Sequence, residues 1–218
     1  MKAITKPVEA LSKKEAAVWE QSTYYDNAEH WTWLFLSDEQ PFLPLFRMLN
    51  LENVVELACG HGRHSEQALK YSSGIKVLTL VDVLQSNIDF CKTRLKKYDQ
   101  CRYVTNAGTS FTGVPDSSVT AIFCYDAMVH FHRSVVLEYL LDMNRILKNG
   151  GRALVHYSNY AIDPDDSFAV HPHARAFMSA KLFEIYVGRA GLRLLGQRII
   201  NWGEEKNLDG ISLIEKPV

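Results

Sequence analysis

The segment Val54-Val55-Glu56-Leu57-Ala58-Cys59-Gly60-His61-Gly62-Arg63 constrains the fold more than any other part of the chain. An apolar run ends in an acid, two glycines follow, and a helix-like segment begins at once. This reads as a strand, a tight turn and a helix start, in which glycine lets backbone approach a bound nucleotide closely. The next apolar run, residues 75–81, ends at Asp82. Asp82 lies about 20 residues past Gly62, the separation at which a carboxylate reaches a ribose hydroxyl. The two features together predict a nucleoside cofactor.

A chain of 218 residues holds one sizeable core and is short for two. Its net charge of -1 argues against a broad basic face for nucleic acid, and Arg94-Leu95-Lys96-Lys97 reads as a solvated helix end. The four cysteines form no C-x-x-C pair, which predicts a reduced, cytoplasmic chain without a zinc site. Residues 1–20 lack the apolar core of a secretory signal, and no apolar run approaches the ~18 residues that span a bilayer, so no membrane partner is expected.

Along the chain, Ser12-Lys13-Lys14-Glu15 reads as a capping box opening a short helix through Trp19. An aromatic stretch, residues 24–35, and a helix over 41–49 complete an N-terminal helical extension, residues 1–50, laid as a lid over a core domain of residues 51–218. In that core, strands are expected at 53–58, up to 81, 102–105, 119–125 and 152–157. Helices alternate with them: 62–71, one capped by Ser86 running to 97, and one from Ser134 that Gly150-Gly151 stops. A long polar loop over 158–178 precedes a helix capped by Ser179. Strands at 192–202 and 211–215, joined by a turn containing Leu208-Asp209-Gly210, read as an antiparallel hairpin. The whole predicts an α/β, Rossmann-like three-layer sandwich around a mostly parallel seven-stranded sheet, with ligands at the carboxyl ends of its strands.

The first turn fits two patterns. As G-x-G-x-x-G it lacks the third glycine, where Ser65 stands. As E/D-x-G-x-G-x-G it offers Glu56, Ala58, Gly60 and Gly62, with alanine for the first glycine. Here the chain resembles the class I S-adenosylmethionine-dependent methyltransferases of small-molecule type, over residues 53–216. Three later features carry the same resemblance. Tyr125-Asp126-Ala127-Met128-Val129-His130-Phe131 is similar to the segment after strand four, Arg145 to Gly151 to the R-x-L-x-P-G-G stretch with Asn149 for proline, and the terminal strand pair to the family's hairpin.

The resemblance implies S-adenosyl-L-methionine as cofactor and assigns roles to matching positions. Gly60 and Gly62, with Ala58, let the turn approach the methionine part; Glu56 orders the turn or meets the cofactor's amino group. Asp82, an acceptor-only carboxylate, takes the ribose hydroxyls. Asn106 stands near the place of an acid that reads the adenine amino group in many relatives, and Tyr125 packs against the cofactor. Tyr25, in the aromatic stretch, either touches the cofactor or seals the sheet edge.

Methyl transfer needs alignment, exclusion of water and a base for a hydroxyl or ammonium nucleophile. His130, just past strand four, is the candidate base or a substrate-positioning residue. Residues after strand five, Tyr157 and Asn159 among them, and His173 and Arg175 in the long loop are candidate substrate contacts. His171 and His173 have no carboxylate or cysteine at ligand spacing, so no metal is expected. The expected function is methylation of a small-molecule acceptor, a hydroxyl oxygen before nitrogen, a sugar among the candidates. The alternatives are a macromolecular acceptor, a non-catalytic cofactor-binding module and a nicotinamide oxidoreductase. Oligomeric state is left open.

Overall fold

The computed structural model describes residues 5–20, 22–164 and 168–218. Its strands are β1 (Asn53–Leu57), β2 (Val77–Asp82), β3 (Cys101–Thr105), β4 (Val119–Cys124), β5 (Leu147–Ser158), β6 (Arg193–Trp202) and β7 (Glu205–Glu215). They form one sheet in the order β3-β2-β1-β4-β5-β7-β6, in which β7 runs antiparallel to both its neighbours. The helices are α1 (Thr5–Glu20), α2 (Tyr24–Ala28), α3 (Phe42–Phe46), α4 (Arg63–Tyr71), α5 (Gln85–Arg94), α6 (Arg133–Ile146) and α7 (Ala180–Arg189). Among the described residues, no helix is long and apolar enough to cross a membrane.

The strand pleat sorts side chains into two layers. Val55, Leu57, Ile122, Cys124 and Val155 pack with Leu140 and Met143 of α6 and Phe183 of α7. Val54, Ala121, Phe123 and Leu154 face the other way, onto Phe35, Phe46, Leu69 of α4 and Ile88 of α5. Every residue of β4 is buried, as expected of a central strand covered on both faces. Each fully buried leucine or phenylalanine contributes about 1.5–3 kcal/mol.

Several boundaries differ from the sequence expectation, each for a local reason. Ser12 does not open α1, which starts at Thr5; Ser12 lies inside it and packs on Gly108. Ser86 does not cap α5; Leu84 precedes that helix, and the Asp82 carboxylate accepts from the Leu84 amide at 2.9 Å. The N-cap of α6 is His132, whose Nδ1 accepts from the Ser134 amide at 3.2 Å. Gly150-Gly151 does not stop α6: the backbone turns extended at Leu147, and the glycine pair lies within β5. The turn between the last strands is at residues 203–204, so Leu208, Asp209 and Gly210 belong to β7. There the polar partners of Asp209 outweigh its usual turn preference. Ser179 caps α7 as expected, accepting from the Leu182 amide at 3.1 Å.

Candidate active site

Strand order reverses between β1 and β4, and a crevice opens there at the carboxyl ends of the strands. The register sets Leu57 beside Val81, which brings the turn after β1 against Asp82. Ala58, Gly60 and Gly62 hold positive φ values of 55°, 51° and 75°. The turn is closely packed: a Cβ on Gly60 would stand 2.8 Å from the Tyr25 ring, and one on Gly62 would stand 2.9 Å from Cys91 Sγ. Asp82 Oδ2 accepts from the Gly60 amide at 2.9 Å; its Oδ1 accepts from the Leu84 amide and from Asn87 Nδ2 at 3.2 Å. Asp82 itself lines the chamber, where a ribose hydroxyl can reach it. This donor set and the chamber beside it fit a nucleoside cofactor.

Tyr25 lies on the same side. Its hydroxyl accepts from Asn87 Nδ2 at 2.9 Å, and its ring stacks on His61, which stacks on Phe90. Glu56 is buried beneath the turn, hydrogen-bonded with the Ser65 hydroxyl and 3.6 Å from His64 Nδ1, and it does not line the chamber. Burial raises its carboxyl to about 8.

Two chambers meet at a common wall of Trp19, Tyr24, Arg63, Tyr125, Asp126 and His130. One contains the turn and Asp82. The other extends to Trp31, Gln40, His173, Arg175, Asn201 and Trp202. Asp126 holds a left-handed backbone, φ 54°, a conformation that few residues besides glycine, asparagine and aspartate adopt. Its carboxylate accepts from the Tyr24 hydroxyl and from Arg63 Nη2 at 3.2 Å. Its amide donates to His156 Nδ1 at 3.1 Å, which leaves the proton on Nε2 to donate to Asp209 Oδ2 at 3.0 Å. Arg175 grips Asp209 with two bonds, 2.9 Å from Nε and 2.6 Å from Nη2, and lies over the Trp202 ring. Burial works to raise the Asp209 carboxyl, but His156 and Arg175 outweigh it and hold it at about 2.

His130 is buried against Trp19, with ring centroids 4.6 Å apart. Its Nδ1 donates to the Ala174 carbonyl at 2.7 Å. The other ring nitrogen, Nε2, has no hydrogen-bond partner among the described residues. Burial, reinforced by the Arg175 charge, lowers the imidazole to about 4, so His130 is neutral at physiological pH.

Of the residues singled out from sequence, Ala58, Gly60, Asp82, Tyr25, Tyr125 and His130 line the first chamber; Gly62 packs behind the turn. His173 and Arg175 line the second, together with Tyr125 and His130. Four others lie elsewhere. Asn106 is folded onto its own loop: Nδ2 donates to Ser110 O and to the Tyr139 hydroxyl, and Oδ1 accepts from the Gly108 amide. Tyr157 stacks on Phe183 on the other face of the sheet. Asn159 ties the loop to β7 and α7, bonding Asn207 O and the Ala180 amide. Glu56 lies under the turn. Sequence reasoning missed Trp19, Arg63, Asp126, Trp202 and Asp209. For Asp209 a signal existed, the one charged residue in the run 208–214.

Residues 54–151 match a family model described as a methyltransferase domain. No curated protein matches the sequence. A chain of the Haloferax volcanii complex containing the Trm112 methyltransferase activator superposes with a TM-score of 0.70 at 16% identity, covering 92% of this chain and 97% of that one. The [4+2]-cyclase SpnF gives 0.65 at 12% identity, covering 91% and 85%. The Streptomyces coelicolor geranyl diphosphate C-methyltransferase, solved with magnesium, geranyl diphosphate and S-adenosyl-L-homocysteine, gives 0.64 at 15% identity, covering 79% and 78%. A cyclase and a methyltransferase share this architecture, so the likeness of fold does not by itself name a reaction. The sequence match runs from β1 into β5 and marks residues 54–151 as a methyltransferase domain, set in the fold of the class I S-adenosylmethionine-dependent enzymes.

Proposed function

We propose that this protein moves a methyl group from S-adenosylmethionine to a small, uncharged acceptor, with a hydroxyl oxygen as the preferred nucleophile and a sugar hydroxyl among the candidates. The observation that carries this reading is the common wall, where a neutral histidine with an open Nε2 stands between the two chambers. In the reading, residues 1–50 are a lid over the core domain 51–218, and the protein works in the cytoplasm.

The residues of the first chamber would hold the cofactor by the turn and by Asp82. Bound there, S-adenosylmethionine supplies the electrophilic methyl group and its own leaving group. The chain's part is to align the acceptor, exclude water and take a proton. His130 Nε2 receives the acceptor's hydroxyl proton while Nδ1–H stays on the Ala174 carbonyl. The positive charge that develops on the ring meets the face of Trp19 and the Asp126 side of the wall.

The second chamber supports an uncharged acceptor. Arg175 is committed to Asp209 and to the His173 carbonyl. Arg63 is committed to Ala28 O, Asp126 and the Tyr24 hydroxyl. Neither arginine offers a free charge to an anion. Trp19, Trp31, Trp202 and Tyr125 offer flat apolar faces, and Gln40 and Asn201 offer amides. A second reading, an amine acceptor, draws on Asp126 among these aromatic rings.

The test is transfer of labelled methyl to a panel of neutral glycosides, phenols and amines by wild type and His130→Ala. Transfer to a neutral hydroxyl that His130→Ala loses supports the proposal. Transfer confined to amines, or unaffected by the substitution, contradicts it.

A further inference from the structure

We propose that Glu15, on the N-terminal helix, reads the exocyclic amino group of the cofactor's purine. The inference rests on the cofactor reading above and adds a residue outside the core sheet to the binding site.

The first chamber has two ends. At one, the turn 58–62 approaches the ligand through backbone; Asp82, at the end of β2, marks the ribose position. A nucleoside seated so would direct its base away from the turn, toward Val83, Phe131 and Tyr139. These side chains provide apolar faces for a flat ring. A base also needs a polar partner at its edge to fix its orientation.

Asn106 is turned away from that edge. Its side-chain hydrogen bonds run to its own loop and to Tyr139. Helix α1 closes the chamber instead. Ser12 packs on Gly108 in the same loop, which holds a φ of 90°. Glu15 is one helical turn further on, on the same face as Ser12. Glu15 Oε2 accepts from the His132 amide at 3.3 Å, which pins the carboxyl at the start of α6. Oε1 has no hydrogen-bond partner among the described residues. Glu15 lines the chamber, and it is the carboxyl group that α1 contributes there. An amino group on a purine is a donor, and a carboxyl oxygen is its natural acceptor. Burial raises the Glu15 carboxyl to about 7, consistent with a site enclosed by protein.

The experiment is a binding cycle by calorimetry. S-adenosylhomocysteine and its analogue lacking the purine 6-amino group are titrated into wild type, Glu15→Ala and Glu15→Gln, with thermal melts to check folding. Wild type is expected to bind the deamino analogue about tenfold more weakly, the loss of one buried hydrogen bond. In Glu15→Ala that penalty should shrink to less than about twofold. In Glu15→Gln, which keeps an acceptor oxygen, it should be intermediate. A merely structural role for Glu15 would weaken both ligands equally, and an unchanged penalty across the three proteins overturns the proposal. Failure of wild type to bind either ligand has a different meaning: it overturns the cofactor reading, and the role of Glu15 with it.

Discussion

At the turn after β1 the chain prepares for a ligand with backbone, whereas on the far side of the common wall it uses buried charge. The first chamber depends on a left-handed turn and on one carboxylate that binds two amides. Its key parts lie within about 30 residues of sequence. The second chamber is held by Arg175, Asp209, His156 and Asp126, drawn from the long loop, β7, β5 and the segment after β4. The first kind of site tolerates variation in side chains that only cover it. The second is a network of desolvated groups in which each member needs the others. The two regions should therefore answer substitution differently.

The largest expected effect is at Asp209. Asp209→Ala leaves Arg175 and His156 buried without their acceptor and should cost about 3–5 kcal/mol of stability in urea unfolding. A loss below about 1 kcal/mol would mean that the network does not hold the second chamber together. The same carboxylate has a pH signature. Its folded pKa of about 2 lies below the usual 3.8, so its stabilisation is present above pH 4 and is lost as pH falls from about 4 toward 2. Thermal melts across that range should show the loss in wild type and a shallower one in Asp209→Asn.

Next in size is His130. His130→Ala should lower methyl transfer by about 10²- to 10⁴-fold, with affinity for S-adenosylhomocysteine held within about threefold. Because its folded pKa is about 4, the imidazole is already neutral at pH 6.5. The pH profile of kcat/KM should therefore have no acid limb near 6.5 that His130→Ala removes. Parallel loss of cofactor affinity would place His130 in the first chamber's support and blur the distinction between the two.

The smallest effect expected is a gain. Ala58 occupies a left-handed conformation that glycine adopts without strain. Ala58→Gly should stabilise the protein by about 1 kcal/mol in thermal or urea unfolding and leave cofactor affinity unchanged. Destabilisation would show that the alanine methyl packs in a way that outweighs the strain.

The same contrast explains what could be read in the sequence. Strand–turn–helix periodicity, two glycines and an acid at the right distance are local signals, so the sheet, the turn and Asp82 were all legible. His130 was legible by its position after β4. Arg175 reads in the sequence as a substrate contact, and its partner Asp209 reads as a turn residue because Asp-Gly favours turns. Only the pairing of β5 with β7 brings Asp209 to His156 and Arg175. The end of a strand does not reveal in sequence which face Tyr157 and Asn159 take. Tyr157 points to the core on the opposite face, and Asn159 binds its own neighbours. Trp19 and Glu15 reach the site through the docking of α1, which no local pattern encodes.

The central claim is that the turn and Asp82 form a cofactor site, and calorimetric titration of S-adenosylhomocysteine into wild type and Asp82→Ala tests it most directly. The account predicts binding by wild type that weakens at least about tenfold in a folded Asp82→Ala protein. Equal affinity in the two proteins, or no binding by wild type, would contradict it.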